Sequence, residues 1–303
     1  MRTLPVSAGL LALAIASAAM AVQPPAEQLF QDLEDRDRLG SDRRGYLWAW
    51  KASSGRVELY SPQGERQAAV QVPQVYALDV DAEWGVAALV RGGRTLQGLS
   101  LEGRPLFLLP FDEPMGDVVW IDTHQVAVAP TLSDHRVEIW DVEVGSRVRS
   151  FGQETPIKLR PGAQFSRTVD LAYDAVHRRL FTIESRTGDL RVFTLEGEPI
   201  GRTRIENPRF EEFEQWMRQV DRDMKRKGET HVQGLPYFRL AVGDRGDVWT
   251  VRRCGEGTAE LVRISPTGAS ESKEIAVSCC STGSMISGNQ IVLHRLPDLS
   301  GGP

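Results

Sequence analysis

The chain has 303 residues, of which 41% are hydrophobic and 25% charged, and it carries a formal net charge of −5. This length and composition are typical of a globular protein with a large hydrophobic core. Proteins that bind phosphate backbones usually carry a strongly basic surface, so the acidic balance argues against a nucleic-acid partner.

The N-terminal residues 1–21 have the pattern of a secretory signal peptide. They contain one arginine, an apolar stretch from Leu10 to Ala16, and a small residue at both Ala19 and Ala21 around Met20. This pattern predicts cleavage after Ala21 and export to the periplasm or the medium. The alternative, a membrane anchor, is weaker because the apolar stretch is short and no similar stretch follows it. We therefore expect no membrane span after cleavage.

A short phrase recurs along the remainder of the chain. It begins as "SDRRGYLWAW" at Ser41 and reappears as "GDRGDVWTV" at Gly243. When the repeats are aligned on this Asp, each one has a short hydrophobic run, then an Asp or Asn, and then a second hydrophobic run. These turn positions are Asp42, Asp81, Asp122, Asp174, Asp244 and, more weakly, Asn289. Asp and Asn side chains bond backbone N–H groups just downstream, so the pattern predicts a structural role in tight turns.

A third hydrophobic run and a second turn follow in five of these units. The turn glycines are Gly64, Gly103, Gly145, Gly197 and Gly268. A fourth run then ends each unit. Short apolar runs bounded by Gly, Asp and Pro favour strands over helices. Four-stranded units that recur about every forty residues predict an all-β chain folded as a β-propeller.

The blade pattern resembles the NHL-like and TolB-like six-bladed propellers of exported bacterial proteins. The stretches "LFTIESRTGDLRVFTLEGEP" and "GDRGDVWTV" carry the resemblance. It implies a β-propeller over residues 38–303, with six four-stranded blades. Residues 22–37 would then complete the last blade, because the sixth unit ends soon after Asn289. Five closed blades remain the alternative.

One insertion, residues 206–236, interrupts the strand pattern. Asn207 and Pro208 suit the start of a helix and Gly228 suits its end. A single apolar stripe is formed by Phe210, Phe213, Met217, Val220 and Met224. We predict an amphipathic helix at about residues 210–227. The insertion joins two blades, on the face where propeller loops usually form a binding site, although the helix could simply pack on the blades.

The three cysteines are Cys254, Cys279 and Cys280. In an oxidising compartment this odd number leaves at least one thiol unpaired or paired between chains. Cys254 follows the second strand of one unit, and the other two follow the fourth strand of the same unit. Both positions lie on the face that bears the insertion, so we expect a disulfide from Cys254 to Cys279 or Cys280. A bridge between the adjacent pair is disfavoured because it would be strained.

Familiar catalytic motifs are missing: there is no Gly-x-Ser-x-Gly elbow, Walker loop or Cys-x-x-Cys. The five histidines have no ligand-like spacing. We therefore expect no catalytic residue, metal or cofactor. The first strands should line the central channel, where four residues form a polar set: Tyr76, Asp117, Asp170 and Arg239. Arg239 could pair with a carboxylate or phosphate, and Tyr237 beside it could stack on a ligand.

Two functional hypotheses follow. The first is an exported, non-catalytic propeller that binds a protein or a small ligand on the face covered by the insertion. The second is a metal-dependent hydrolase of the lactonase type with its site in the central channel. Such a site needs several convergent oxygen ligands, whereas the polar set has two acids and an arginine that would repel the metal. The sequence therefore favours binding.

Overall fold

The computed structural model of the chain describes residues 38–51, 53–62, 64–153, 168–185, 187–227, 237–242, 247–255, 258–265 and 270–276. These residues form twenty strands in five antiparallel sheets, each with four strands in chain order. Grouped by sheet, the strands are β1 Arg38–Ser41, β2 Leu47–Lys51, β3 Arg56–Tyr60 and β4 Arg66–Gln71; β5 Ala77–Asp81, β6 Gly85–Val90, β7 Thr95–Leu99 and β8 Pro105–Pro110; β9 Met115–Trp120, β10 Gln125–Pro130, β11 Val137–Asp141 and β12 Ser146–Phe151; β13 Val169–Asp174, β14 Arg179–Glu184, β15 Asp189–Thr194 and β16 Pro199–Arg204; and β17 Tyr237–Val242, β18 Val248–Gly255, β19 Thr258–Ile264 and β20 Ser270–Ala276.

The five sheets are successive blades around a common axis. The first strand of each sheet contacts the first strand of the next, from β1 through β5, β9 and β13 to β17. The predicted β-propeller is therefore confirmed. Five blades lie within the described residues, whereas residues 22–37 and 277–303, on which a sixth blade would depend, lie outside them.

Hydrophobic clusters hold neighbouring blades together. One cluster joins blades 1 and 2 through side chains such as Trp50, Leu59 and Val86. Similar clusters join blades 2 to 3, 3 to 4 and 4 to 5. The second strand β6 is buried along its whole length, and the outer strand β16 is exposed along its whole length. This gradient arises because the blades pack on both faces near the axis and separate at the periphery.

The turn acids take the predicted structural role wherever the structure describes them. In each case one carboxylate oxygen accepts two backbone N–H groups of its own turn at 2.8–3.2 Å. The acids that do so are Asp42, Asp81, Asp122 and Asp174. Two backbone donors that would face water or the cavity are thereby satisfied at every turn. The equivalent positions Asp244 and Asn289 lie outside the described residues.

The second turns of blades 2 and 4 depend on their predicted glycines. Gly103 has φ of +81° and donates its N–H to the carbonyl of Ser100 at 2.9 Å. Gly197 has φ of +91° and bonds the carbonyl of Thr194 in the same way. The ladder between the third and fourth strands shifts register beside each of these turns. This is a tight turn followed by a glycine bulge, a conformation that other residues adopt only with strain.

The insertion forms the predicted helix, α1, at Phe210–Lys227. Asn207 caps its start, because its side-chain oxygen accepts the N–H of Arg209 at 3.1 Å and its carbonyl accepts the N–H of Phe210 at 3.1 Å. Arg218 and Glu214 form the expected pair one turn apart, at 2.9 Å. In the described part of the chain, no helix is both long and apolar enough to cross a membrane.

Candidate functional site

The described blades surround a central cavity of about 440 Å³. All five first strands contribute to its wall, mostly through their C-terminal halves, and the turns that follow them form its rim. The cavity therefore lies towards the face that bears these first-to-second-strand turns. The helix α1 enters between β16 and β17, at the opposite face, so the protein has two distinct candidate surfaces.

Along the cavity wall, side-chain carboxylates of one blade accept hydrogen bonds from the backbone of the next blade. Asp79 of blade 2 accepts the backbone N–H of Trp120 in blade 3 at 2.8 Å. Asp117 of blade 3 likewise accepts the N–H of Leu171 in blade 4 at 2.8 Å. A first strand pairs with its own sheet on one side only, so its other edge presents N–H groups without a backbone partner. Each acid satisfies one such group on the following blade and so ties the two blades together.

Blade 1 makes this connection from its turn instead. The second carboxylate oxygen of Asp42 accepts the N–H of Ala82 in blade 2 at 3.0 Å. The position equivalent to Asp79 in blade 1 is Gly40, and the indole of Trp48 lies directly over it, so that a Cβ there would come within 2.2 Å of the ring. The cavity wall is therefore acidic along blades 2 to 4 and aromatic at blade 1.

The pKa of Asp79 in the cavity wall is well above the ordinary value. Burial raises its pKa to about 7, against the effect of the hydrogen bonds from Trp120 and Val80, and the nearby charges of Asp117 and Asp81 add to the rise. A carboxyl with this pKa exchanges a proton near neutral pH. Burial also raises the pKa of Tyr173, which lines the same cavity.

The rim combines an arginine with an aromatic ring. The guanidinium carbon of Arg43 lies 4.1 Å from the ring centre of Trp84, and its Nε donates to Asp81 at 3.1 Å. Arg43 and Arg44 both pair with Glu83. The rim contact therefore joins the turns of blades 1 and 2, with the arginine charge already balanced by two acids.

The residues of the predicted polar set have different positions in the fold. Asp117 and Asp170 line the cavity, whereas Tyr76 packs against the hydrophobic cluster between blades 2 and 3. The backbones of Tyr237 and Arg239 lie in β17, and their side chains are outside the described part of the chain. The predicted disulfide also lies outside the described part of the chain. Only the backbone of Cys254 is described, near the end of β18, and Cys279 lies outside the described residues.

Sequence reasoning missed Asp79 because it placed the polar set four or five residues before each turn acid. The first strands end at different distances from that acid: Asp81 is the last residue of β5, but Asp122 lies beyond the end of β9. A signal was available in the alternation "ALDVD", in which Asp79 and Asp81 share one side of the strand.

Within the described residues, no group of three His, Cys, Asp or Glu side chains is placed to hold a metal ion. Two acids of the cavity bond backbone N–H groups: both oxygens of Asp79 accept, from Val80 and Trp120, and one oxygen of Asp117 accepts from Leu171. This arrangement suits the joining of blades better than the coordination of a hard cation, which needs several free oxygens.

The opposite face is built around α1. Arg252 of β18 donates to the carbonyl of Glu206, just before the helix, and pairs with Glu260 of β19. Phe213 is buried where the helix meets blade 5, whereas Phe210 is 41% exposed. The rings of these two residues lie 6.2 Å apart. The helix is thus fixed to blade 5 and presents an aromatic side chain to solvent.

Solved structures with a similar fold include a member of the DUF4221 family from Bacteroides vulgatus, with 7% identity, 80% of this chain and 82% of that chain covered, and a TM-score of 0.55. Others are the Cps50 (Swd1) β-propeller domain of Myceliophteria thermophila, with 12% identity, coverage of 77% and 67%, and a TM-score of 0.48, and virginiamycin B lyase from Staphylococcus aureus, with 13% identity, coverage of 80% and 71%, and a TM-score of 0.47. These likenesses show the fold alone. No protein-family model matches the chain, and no curated protein does either.

Proposed function

We propose that this protein is a non-catalytic binding propeller that recognises a protein or small ligand on the face bearing α1. The observation that carries the proposal is the docked helix, which is fixed through Arg252 and Phe213 yet exposes Phe210. A rigid element that presents an aromatic side chain loses little conformational entropy on binding.

The charges around Phe210 suit a polar rim. Glu211 and Glu212 are exposed in the first turn, and Arg209 pairs with Glu212 at 2.7 Å. Interfaces commonly place an aromatic residue at the centre and charged residues around it. A polar partner surface with an apolar pocket would therefore complement this end of the helix.

The alternative, a metal-dependent hydrolase of the lactonase type, is not favoured. Its site would need convergent oxygen ligands in the central channel. Two acids of the channel, Asp79 and Asp117, instead satisfy backbone N–H groups of neighbouring blades. The fold itself supports either kind of function, so the local chemistry decides between them.

The proposed recognition is tested by crosslinking and then by affinity. A photo-reactive residue at position 210 should capture a partner in the native exported fraction, whereas one at Val176 should not, because Val176 is exposed on the opposite face. With that partner in hand, Phe210→Ala should weaken binding about tenfold or more, equivalent to about 1.4 kcal/mol.

Val176→Ala is the matched control and should leave the affinity unchanged. Phe210 is 41% exposed and Val176 76% exposed, so neither substitution opens a core cavity and the thermal melting of both variants should stay close to that of the wild type. Equal affinities for all three proteins would reject the helix-bearing face as the recognition surface.

We also propose that the chain is exported and that it closes as a six-bladed propeller of the NHL-like or TolB-like type. The support is the signal-peptide pattern of residues 1–21 and the strand-like run "QIVLH" at residues 290–294.

Intact-mass analysis of protein from the exported fraction should show a mature chain that begins at Val22. The same sample, mapped without reductant, should show Cys254 in a disulfide; retention of residues 1–21 or a free Cys254 thiol would contradict the respective proposal.

A further inference from the structure

The loop between β10 and β11 places a histidine between two carboxylates. Nδ1 of His135 lies 3.1 Å from Oδ1 of Asp134, and Nε2 lies 2.8 Å from Oε1 of Glu138 in β11. Only 14% of the imidazole side chain is exposed. Each ring nitrogen therefore faces a carboxylate oxygen at hydrogen-bond distance.

Glu138 is held in the ionised form by its other partners. Its side chain is 3% exposed, and it accepts hydrogen bonds from Nη1 of Arg147 at 2.7 Å and from the indole Nε1 of Trp140 at 2.7 Å. Burial would raise the pKa of Glu138, but the hydrogen bonds from His135, Arg147 and Trp140 outweigh it and hold the pKa below the ordinary value. An ionised carboxylate only accepts hydrogen bonds, so Nε2 of His135 must carry a proton to bond it.

The same argument applies to the second ring nitrogen. Asp134 is 63% exposed, and the hydrogen bond with His135 lowers its pKa, so it too is a carboxylate that only accepts. A neutral imidazole has one donor nitrogen and one acceptor nitrogen, whereas the imidazolium has two donors. Two carboxylates on the two nitrogens are therefore satisfied together by the imidazolium alone.

The charged groups of neighbouring elements leave His135 to these two acids. β12 presents Arg147, which bonds Glu138. The connection between β8 and β9 presents Glu113, whose carboxylate accepts backbone N–H groups of the loop at 2.8 and 3.1 Å. The hydrogen bond to Glu138, with the bond to Asp134 and the charges of both acids, raises the pKa of His135 against the effect of burial.

We propose that His135 is a proton-dependent latch, which as the imidazolium fastens the loop of residues 131–136 to β11 and on deprotonation releases the loop at Asp134. A neutral ring donates from one nitrogen only. Glu138 is buried and Asp134 is exposed, so the remaining proton stays on Nε2, and the contact given up is the one whose charge water can solvate. The inference is independent of the proposed recognition by α1.

The sign of the effect on stability follows from linkage. The pKa of His135 in the folded protein lies above the ordinary value of 6.5. The contribution of the imidazolium is therefore fully present below pH 6.5 and is lost as pH rises through the raised pKa. One such group changes the unfolding equilibrium constant by at most about tenfold per pH unit.

An NMR titration of the histidine ring nitrogens tests the protonation directly. His135→Gln identifies the signals of His135 among those of the five histidines. In the wild type we expect both ring nitrogens of His135 to remain protonated above pH 6.5. A titration midpoint at or below that value would overturn the proposal.

Charge-removing variants test the two contacts. Glu138→Gln should lower the midpoint of His135, and Asp134→Asn should lower it to a smaller extent because that pair is exposed. Glu143→Gln is the matched control and should leave the midpoint unchanged, since Glu143 is an exposed acid of the same blade that pairs with His124 instead. An unchanged midpoint in Asp134→Asn would overturn the latch, whether or not Glu138→Gln folds.

Urea unfolding of the wild type and His135→Gln between about pH 5 and about pH 9 measures the consequence for the fold. Glutamine is neutral throughout this range, so it cannot supply the proton-dependent contact. We expect the stability of the wild type relative to His135→Gln to fall as pH rises above 6.5, by up to about tenfold in the unfolding equilibrium constant per pH unit. Parallel curves for the two proteins would overturn the proposal.

Discussion

We expect Asp189→Ala to lower the free energy of unfolding by about 3–5 kcal/mol, which is a large part of the stability of a typical domain. The reason is Arg136, which is completely buried between blades 3 and 4. Its Nη2 donates to the Asp189 carboxylate at 2.6 Å and its Nη1 donates to the Asp189 carbonyl at 3.1 Å. The substitution removes the nearer carboxylate and leaves the buried guanidinium with the more distant one of Glu184, 3.6 Å from its Nη2.

The acid at the centre of this network has further partners. Arg191 donates to the same oxygen at 2.9 Å, and Arg202 donates to the other at 2.7 Å. Burial would raise the pKa of Asp189, but the hydrogen bond from Arg202 and the charges of Arg136 and Arg191 outweigh it and hold the pKa below the ordinary value. The carboxylate therefore stabilises the fold above that ordinary value, and this contribution is lost as pH falls through the lowered pKa.

Two control substitutions separate the contribution of the buried Arg136–Asp189 pair from that of the exposed Arg202–Asp189 pair. Arg202→Ala removes a partner that is 67% exposed, so it should cost no more than about 1 kcal/mol. Arg136→Met removes the buried charge itself and leaves Asp189 with two arginines, so it should cost less than Asp189→Ala. The change in the free energy of unfolding of each of the three variants is obtained from its urea midpoint, with the m-value expected to stay unchanged. Equal losses for Asp189→Ala and Arg202→Ala would show that the network is not buried as described.

The turns and the helix that could be predicted from sequence are those whose conformation is determined by residues only a few positions away in the chain. The turn at Asp42 follows from a side chain that bonds N–H groups within four residues, and the bend at Gly103 follows from a positive φ. The start of α1 follows from Asn207 and Pro208, which lie next to it. Each of these signals lies within one short stretch of chain, so no knowledge of neighbouring blades is needed.

Features that depend on contacts between blades could not be predicted in the same way. Arg136 and Asp189 belong to different blades, and nothing in either local sequence indicates that the arginine is buried. The cavity wall illustrates the same limit: Asp79 lies in β5 and Tyr76 directly before it, and the bounds of that strand decide which of the two side chains faces the axis. A shift of one or two residues reverses such an assignment because side chains alternate along a strand.

Trp120→Ala should cost about 3–5 kcal/mol, comparable with the loss of Asp189. Trp120 is only 3% exposed and lies at the junction of the cavity wall with the core between blades 2 and 3. Its ring makes edge contacts with Trp84 at 6.2 Å and with Phe107 at 5.8 Å between ring centres. Truncation would leave a void between two blades whose backbones are held by their own sheets and cannot close around it.

Trp120→Phe separates the loss of the ring from the loss of the indole N–H. Among the described residues that N–H is buried without a hydrogen-bond partner, so its removal relieves an unsatisfied donor while a smaller ring keeps part of the contact with Trp84 and Phe107. We therefore expect Trp120→Phe to retain more than half of the stability that Trp120→Ala loses, as measured by urea unfolding. Both substitutions leave in place the backbone N–H that donates to Asp79, so this hydrogen bond between blades 2 and 3 should persist in both variants. If Trp120→Phe is as destabilising as Trp120→Ala, the indole N–H has a partner that stabilises the seam, and the ring contacts are not the dominant contribution.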